Sequence, residues 1–298
     1  MSIHILGLGS IGTLTAHLLR TAYPNLKIYS LPRQTSPFPA VYTVYNPNGL
    51  ASQISDIIHD VGRTTSIDIL LITTKAHHTR SAIEPHAKRI TDSTLSIFLQ
   101  NGMGAVDSIR DILRTARIVL GTTTHAVKRT QPDHLQWVFK GETLFSPEPP
   151  TSLSSHEINL LSALGQIIPF STLELRLYQK LALNACINPV TAIYNVQNGS
   201  VADPSSPAHD LAVQISGEIQ RVYTACKPEV DVSELSENVM TLAKDTGGNT
   251  SSMLADVLAG RDTEIDFING QIVKMGKGMG LDVPQNEYVV QRIKELNK

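Results

Sequence analysis

Residues 3–12 read Ile-His-Ile-Leu-Gly-Leu-Gly-Ser-Ile-Gly, a short apolar strand running into Gly7-Leu8-Gly9-Ser10-Ile11-Gly12 and then into a helical pattern from Ile11 to Thr21. A GxGxxG match alone is a weak signal, but between a strand and a helix it specifies a phosphate-binding turn. Gly7 permits the tight turn, Gly9 lets a pyrophosphate approach the backbone, and Gly12 lets helix and strand pack closely. Leu8, Ser10 and Ile11 complete the segment whose N–H groups open the helix and face the anion. The competing reading is a glycine-rich turn with no ligand.

Working outward, short apolar runs alternate with helical segments as far as residue 172: Ile3 to Leu8, Leu26 to Leu31, Ile67 to Thr73, Leu95 to Leu99 and Ile118 to Thr122. That alternation is the pattern of a parallel sheet wrapped by helices. Val41 to Tyr45 and the turn Asn46-Pro47-Asn48-Gly49 read as an antiparallel insertion, and His134 to Phe139 with Glu142 to Phe145, joined around Gly141, as a second hairpin. Ile167 to Thr172 reads as a last edge strand. Beyond it come long helices over about 174–194, 208–226, 233–246, 252–278 and 285–297. The expected fold is α/β, an N-terminal Rossmann-type doubly wound sheet over residues 1–172 followed by an all-α domain over 173–298.

Composition agrees with two soluble domains. A length of 298 residues suits about two domains. Charged residues at 17% and a net charge of −2 lack the basic bias of a nucleic-acid binder. No apolar run approaches the length that spans a bilayer, and the N-terminus reads as a first strand, not a signal peptide. Two cysteines, Cys186 and Cys226, in no paired pattern, fit a reducing compartment, so the expected location is the cytoplasm. Monomer and homodimer are both compatible.

The second strand ends Tyr29-Ser30-Leu31-Pro32-Arg33. NAD sites usually place a carboxylate there for the ribose 2′-hydroxyl; here Arg33 stands ready to pair a 2′-phosphate, which favours NADPH. Lys75 and the turn Asn101-Gly102-Met103-Gly104 follow other strands at the carboxyl end of the sheet, where ligands of open α/β folds gather. There is no GxSxG elbow, HExxH, P-loop or EF-hand. His77 and His78 read as solvated and not as metal ligands, and no metal site is expected.

The segment Gln179 to Pro189, QKLALNACINP, sets Lys180, Asn184 and Asn188 at i, i+4, i+8. Each step of four drifts only about 40°, so the three share one face of an otherwise apolar helix. Such a stripe lines either solvent or a wet cleft. Pro189 removes a backbone donor and should kink the helix.

Taken together, GLGSIG, LPR, TTKA around Lys75, LQNGMG, GTTTH, QKLALNACINPVTAI, and TSSML followed by TEIDFINGQI resemble the ketopantoate reductase family, the NADPH-dependent 2-dehydropantoate 2-reductases of pantothenate synthesis. The resemblance runs in order from residue 3 to about residue 285. It implies that Lys180 is the proton donor and that Asn184, Asn188, Asn198 and Ser252 contact a small 2-keto acid. Asn101 would touch both substrate and cofactor, Val127 would lie against the cofactor, and Glu264 would help order the cofactor and the cleft. Two departures are Val127, where members often carry a smaller residue, and the segment Val201 to His209. At the ordinary lysine pKa of about 10.4 the donor is protonated at neutral pH without prior activation. Two other readings are open: the same scaffold reducing another 2-keto acid or ketone, and a non-catalytic NADPH-sensing regulator, which should have lost Lys180 or Glu264.

Overall fold

A computed structural model describes residues 2–31, 39–60, 64–113 and 116–296. In chain order the elements are β1 (Ser2–Leu6), α1 (Ser10–Ala22), β2 (Lys27–Leu31), β3 (Tyr42–Tyr45), β4 (Ala51–Ile54), β5 (Ile58–His59), β6 (Ile69–Ile72), α2 (Thr79–Ile83), β7 (Leu95–Leu99), α3 (Arg110–Leu113), β8 (Arg117–Thr123), β9 (Ala126–Gln131), β10 (His134–Phe139), β11 (Thr143–Pro147), α4 (Ser155–Ser162), β12 (Gln166–Ile167), α5 (Phe170–Tyr194), α6 (Pro207–Cys226), α7 (Leu235–Asp245), α8 (Ser252–Leu258), α9 (Asn269–Gly278) and α10 (Pro284–Leu296). Residues up to Gln100 together with Ala105–Leu173 form one compact unit, and Asn101–Gly104 together with the chain from Glu174 onward form the other.

The first unit is built on an eight-stranded sheet in the order β12-β11-β8-β7-β6-β1-β2-β5, parallel from β8 to β5. Side chains alternate across it, as the period of two requires. Ile3, Ile5, Ile28, Ile69, Leu71, Ile97 and Val119 share a core with Leu14, Ala16 and Leu19 of α1. Leu6, Leu31, Leu70, Ile72, Phe98 and Ile118 pack on the other face with Ala82, Ile83, Ile109 and Leu113. Burial on both faces is why these strands read as continuous apolar runs. A second sheet, β4-β3-β10-β9, adds Tyr42, Val44, Ile54, Leu135 and Trp137 to the core containing α1.

Two strand expectations need correction. The expected hairpin around Gly141 does not form: β10 pairs antiparallel with β9, and β11 crosses to the main sheet, antiparallel to β8. The reason is burial. Thr143, Leu144, Phe145 and Ser146 are all buried and need cover on both faces, whereas β10 ends in exposed Val138 and Phe139. Phe145 lies opposite Gly121, where a Cβ would come within 2.8 Å of its ring. The expected edge strand to Thr172 is only Gln166–Ile167, because α5 already begins at Phe170.

In the second unit α5 packs Leu181, Ala182, Ala185, Cys186 and Val190 against a core that includes Ile215, Ile219 and Tyr223 of α6, Val239 of α7, Ile272 of α9 and Ile293 of α10. The long helix expected over 252–278 is two helices. Gly260, at φ +61°, ends α8 in a Schellman arrangement, with Arg261 N donating to Asp256 O at 2.9 Å and Gly260 N to Val257 O at 3.0 Å. Among the described residues no helix is long and apolar enough to cross a membrane.

Candidate functional site

In the first unit the glycines of the turn separate by what surrounds them. A Cβ on Gly7, at φ +100°, would come within 2.8 Å of Thr74 N, and one on Gly12 would stand 2.1 Å from Gly7 O. Both glycines are demanded by the protein's own packing. A Cβ on Gly9 would meet nothing within 4 Å. Packing does not explain this glycine, but a ligand approaching the backbone would.

Gly9 is the N-cap of α1 and makes no side-chain cap, and no acidic residue lies in the first turn. The helix thus presents its N-terminal N–H groups and partial positive charge. Thr73 Oγ1 donates to Gly7 O at 2.6 Å, locking the turn to the strand end. These features fit a dinucleotide's diphosphate. Lys75 is half-buried just past β6, and its carbonyl accepts from His78 N at 2.9 Å. Half-buried Val127, on β9 opposite Trp137, packs against the α1 core. Arg33 lies outside the described residues.

In the second unit α5 runs through Pro189 as one helix. Proline has no N–H, so the carbonyl of Ala185, four residues back, loses its helical donor. Asn269 repairs this: its Nδ2 donates to Ala185 O at 3.0 Å and to Asn286 Oδ1 at 3.0 Å. Buried Glu218 accepts in turn from Asn286 Nδ2 at 2.8 Å and from the backbone N–H groups of Gln285 and Asn286, at 2.8 and 2.9 Å.

Lys180 and Asn184 are half-buried, and Asn188 is buried. Burial pushes the Lys180 ammonium down to about 8, while the charge of Glu264 pulls the other way. The lysine is therefore a stronger acid than the sequence reading assumed, yet about nine in ten molecules still carry the proton at pH 7. Glu264, itself buried, N-caps the short turn Ile265–Phe267. The Asn101-Gly102-Met103-Gly104 turn docks on that same segment, with Met103 N donating to Phe267 O at 2.9 Å. Gly102, at φ +76°, allows the approach, since a Cβ there would come within 2.4 Å of Phe267 O.

Thr191, one turn beyond Ile187 on α5, hydrogen-bonds Ser251 at 2.7 Å. Ser251 caps α8 by accepting from Leu254 N, so the exposed Ser252 keeps its hydroxyl out of the cap. Asn198 is tied to the loop that leads to Ser251: its N–H donates to Asn249 O, and its Nδ2 to Thr246 Oγ1, both at 3.0 Å. Thr246 spends its single hydroxyl proton on Leu242 O at 2.6 Å, so it can only accept from Asn198. That fixes the amide, leaving buried Asn198 Oδ1 as an acceptor with no partner among the described residues. In the Val201 to His209 segment Asp203 Oδ1 accepts from Ser205 N at 2.9 Å, and Ser206 caps α6 ahead of Pro207.

Thr191, Thr246 and Asn269 were not singled out from sequence. Only Asn269 had a signal, because Pro189 implies an orphaned carbonyl that some donor must meet.

Residues 3–150 match the family model for "Ketopantoate reductase PanE/ApbA", and residues 172–297 the model for "Ketopantoate reductase PanE/ApbA C terminal". A 2-dehydropantoate 2-reductase of Vibrio cholerae serotype O1 is 30% identical over 300 residues, covering 100% of this chain and 98% of the relative. The crystal structure of a probable 2-dehydropantoate 2-reductase from Bacillus subtilis is similar with a TM-score of 0.78 and 27% identity, over 99% of this chain and 100% of that one. D-mandelate dehydrogenase, in a ternary structure with NADH and anilino(oxo)acetate, shares the fold with a TM-score of 0.85 at 21% identity, over 100% of this chain and 98% of that one. The two matched segments and the relative aligned along the whole chain place this protein in the ketopantoate reductase family of oxidoreductases.

Proposed function

We propose that the protein reduces the 2-keto group of 2-dehydropantoate to pantoate with NADPH, a step of pantothenate synthesis carried out in the cytoplasm, and that Lys180 is the proton donor. The observation that carries this reading is the α5 face itself: an ammonium lowered to about 8 by burial, under the influence of Glu264, on the same helix face as Asn184 and Asn188. We assign cofactor binding to residues 1–172 and the catalytic face to 173–298.

NADPH supplies the hydride when bound. Gly7 to Gly12 would hold its diphosphate, with Lys75, Asn101, Val127 and Glu264 as further contacts, and Arg33 would meet its 2′-phosphate, a role that rests on the sequence alone. Lys180 faces the carbonyl oxygen, stabilises the negative charge that develops there and gives up its proton. Asn184 and Asn188 orient the ligand by hydrogen bonds without adding charge. Ser252 presents its hydroxyl to the carboxylate. Asn198 Oδ1, fixed as an acceptor by Thr246, suits the hydroxyl of 2-dehydropantoate.

The pH dependence follows from the sign of the lysine shift. The neutral amine cannot donate, so kcat/KM for the keto acid should fall as pH rises through about 8. Glu264 raises the lysine pKa, so Glu264→Gln should move that limb to lower pH. A limb unmoved by Glu264→Gln, or one near the ordinary lysine value, would contradict the assignment.

The substrate is tested by following NADPH oxidation with 2-dehydropantoate beside simple aliphatic and aromatic 2-keto acids, and with NADH in place of NADPH. The expected result is the highest kcat/KM with 2-dehydropantoate and NADPH. A preference for an aromatic keto acid would favour the second reading, a same-scaffold reductase of another substrate. Binding of NADPH without turnover of any keto acid would favour a sensor, although Lys180 and Glu264 are both retained.

A further inference from the structure

Arg129 belongs to the second sheet, yet its guanidinium bonds to the phosphate turn. Nη2 donates to Leu8 O at 2.7 Å and to Thr13 Oγ1 at 3.1 Å, and Nη1 donates to Pro132 O. The guanidinium also lies 5.9 Å from the centre of the Tyr42 ring. All of these partners are neutral. Among the described residues no carboxylate forms an ion pair with Arg129, and Asp133, the acid that acts on it, is hydrogen-bonded to His134 at 2.8 Å. Burial weakens the guanidinium's hold on its proton. A partly desolvated cation with only neutral hydrogen-bond partners is costly, and Leu8 O does not need it for satisfaction alone, since it also accepts from Thr13 Oγ1 at 3.3 Å.

The geometry of the turn supplies the reason. A trans peptide points its C=O and the following N–H in opposite directions. Holding Leu8 O against Arg129 therefore turns Gly9 N–H away from Arg129. The neighbouring carbonyl is restrained in the same manner, with Gly7 O held by Thr73 Oγ1 at 2.6 Å. Gly9 is also the residue whose Cβ position is open. We propose that Arg129 is a positioning residue for a dinucleotide diphosphate: it fixes the Leu8–Gly9 peptide so that Gly9 N–H meets the phosphate, and it sets a fixed positive charge behind the turn. This also gives the second sheet a role, that of carrying Arg129 to the turn. The proposal rests on reading Gly7 to Gly12 as a dinucleotide site.

The test is calorimetric titration of Arg129→Met and Arg129→Lys with NADPH and with ADP-ribose, which keeps the diphosphate but lacks both nicotinamide and 2′-phosphate. Thermal melts and steady-state kinetics on the same samples check folding and the substrate side. Arg129→Met should bind both ligands about tenfold more weakly, the order expected for losing one charge-assisted interaction. The keto-acid KM and the kcat at saturating NADPH should change by less than about twofold. Arg129→Lys, which keeps the charge but not the fork, should lose less.

Unchanged affinity in a folded Arg129→Met would overturn the proposal. So would loss of NADPH affinity with ADP-ribose affinity intact, or a parallel fall in kcat and in keto-acid binding. Failure of both variants to fold would make Arg129 a structural residue and equally overturn it. A wild-type protein that binds neither ligand would instead remove the dinucleotide reading, and the proposal with it.

Discussion

Replacing Lys180 with alanine is expected to lower kcat by about a hundredfold or more while NADPH affinity stays within about twofold. General acid catalysis contributes on the order of 10²- to 10⁴-fold, and the lower end applies if water substitutes as donor. Lys180→Arg separates charge from proton donation, because a guanidinium stabilises the developing oxyanion but does not release its proton near neutrality. Its kcat should stay low even where keto-acid binding recovers. The alanine variant also removes a cation that acts on buried Glu264. Lys180→Ala combined with Glu264→Gln therefore tests for collateral damage: the double variant should regain thermal stability but not turnover. Near-normal turnover by Lys180→Ala would end the assignment of the donor.

The second large effect comes from a pair of glycines that look alike in the sequence. Gly12→Ala places a Cβ 2.1 Å from Gly7 O, so the turn itself must shift. Displacing a ligand-positioning backbone by about 1 Å can cost on the order of a hundredfold. NADPH affinity should fall by about that much, and the melting temperature by about 4 °C or more. Gly9→Ala meets nothing within 4 Å, so the unliganded protein should melt within about a degree of wild type. Its methyl group nevertheless enters the space proposed for the diphosphate. Added NADPH should raise the melting temperature of wild type far more than that of Gly9→Ala. Equal stabilisation of the two would show that the cofactor does not approach the backbone there.

How much of this was legible beforehand depended on whether the governing contact was local. The glycine turn between β1 and α1 was, because Gly7, Gly9 and Gly12 act within one strand–turn–helix unit. The Lys180, Asn184 and Asn188 face was too, because helical spacing alone gathers them. The place of β11 was not: the cue at Gly141 suggested a hairpin, while the deciding facts were burial on both faces and the room that Gly121 leaves for Phe145. The break between α8 and α9 turned on Gly260, one residue inside an otherwise helical pattern.

Partners far apart in the chain were least accessible. Thr246 fixes the Asn198 amide across 48 residues, Asn269 reaches Ala185 across 84, and Arg129 reaches Leu8 across 121. Sequence spacing carries no trace of such pairings. The acidity of Lys180 also escaped, since it follows from burial, which a helical pattern does not measure.

The most direct measurement is isotopic. With NADPH deuterated at the transferable position of the nicotinamide and 2-dehydropantoate as substrate, the product should be pantoate carrying one deuterium at C2 for each NADPH consumed. The Lys180→Ala variant should form the same labelled product at no more than about one hundredth of the wild-type rate. NADPH bound with no deuterium appearing at C2, or label transferred equally fast without Lys180, would contradict the proposed reaction or its proton donor, respectively.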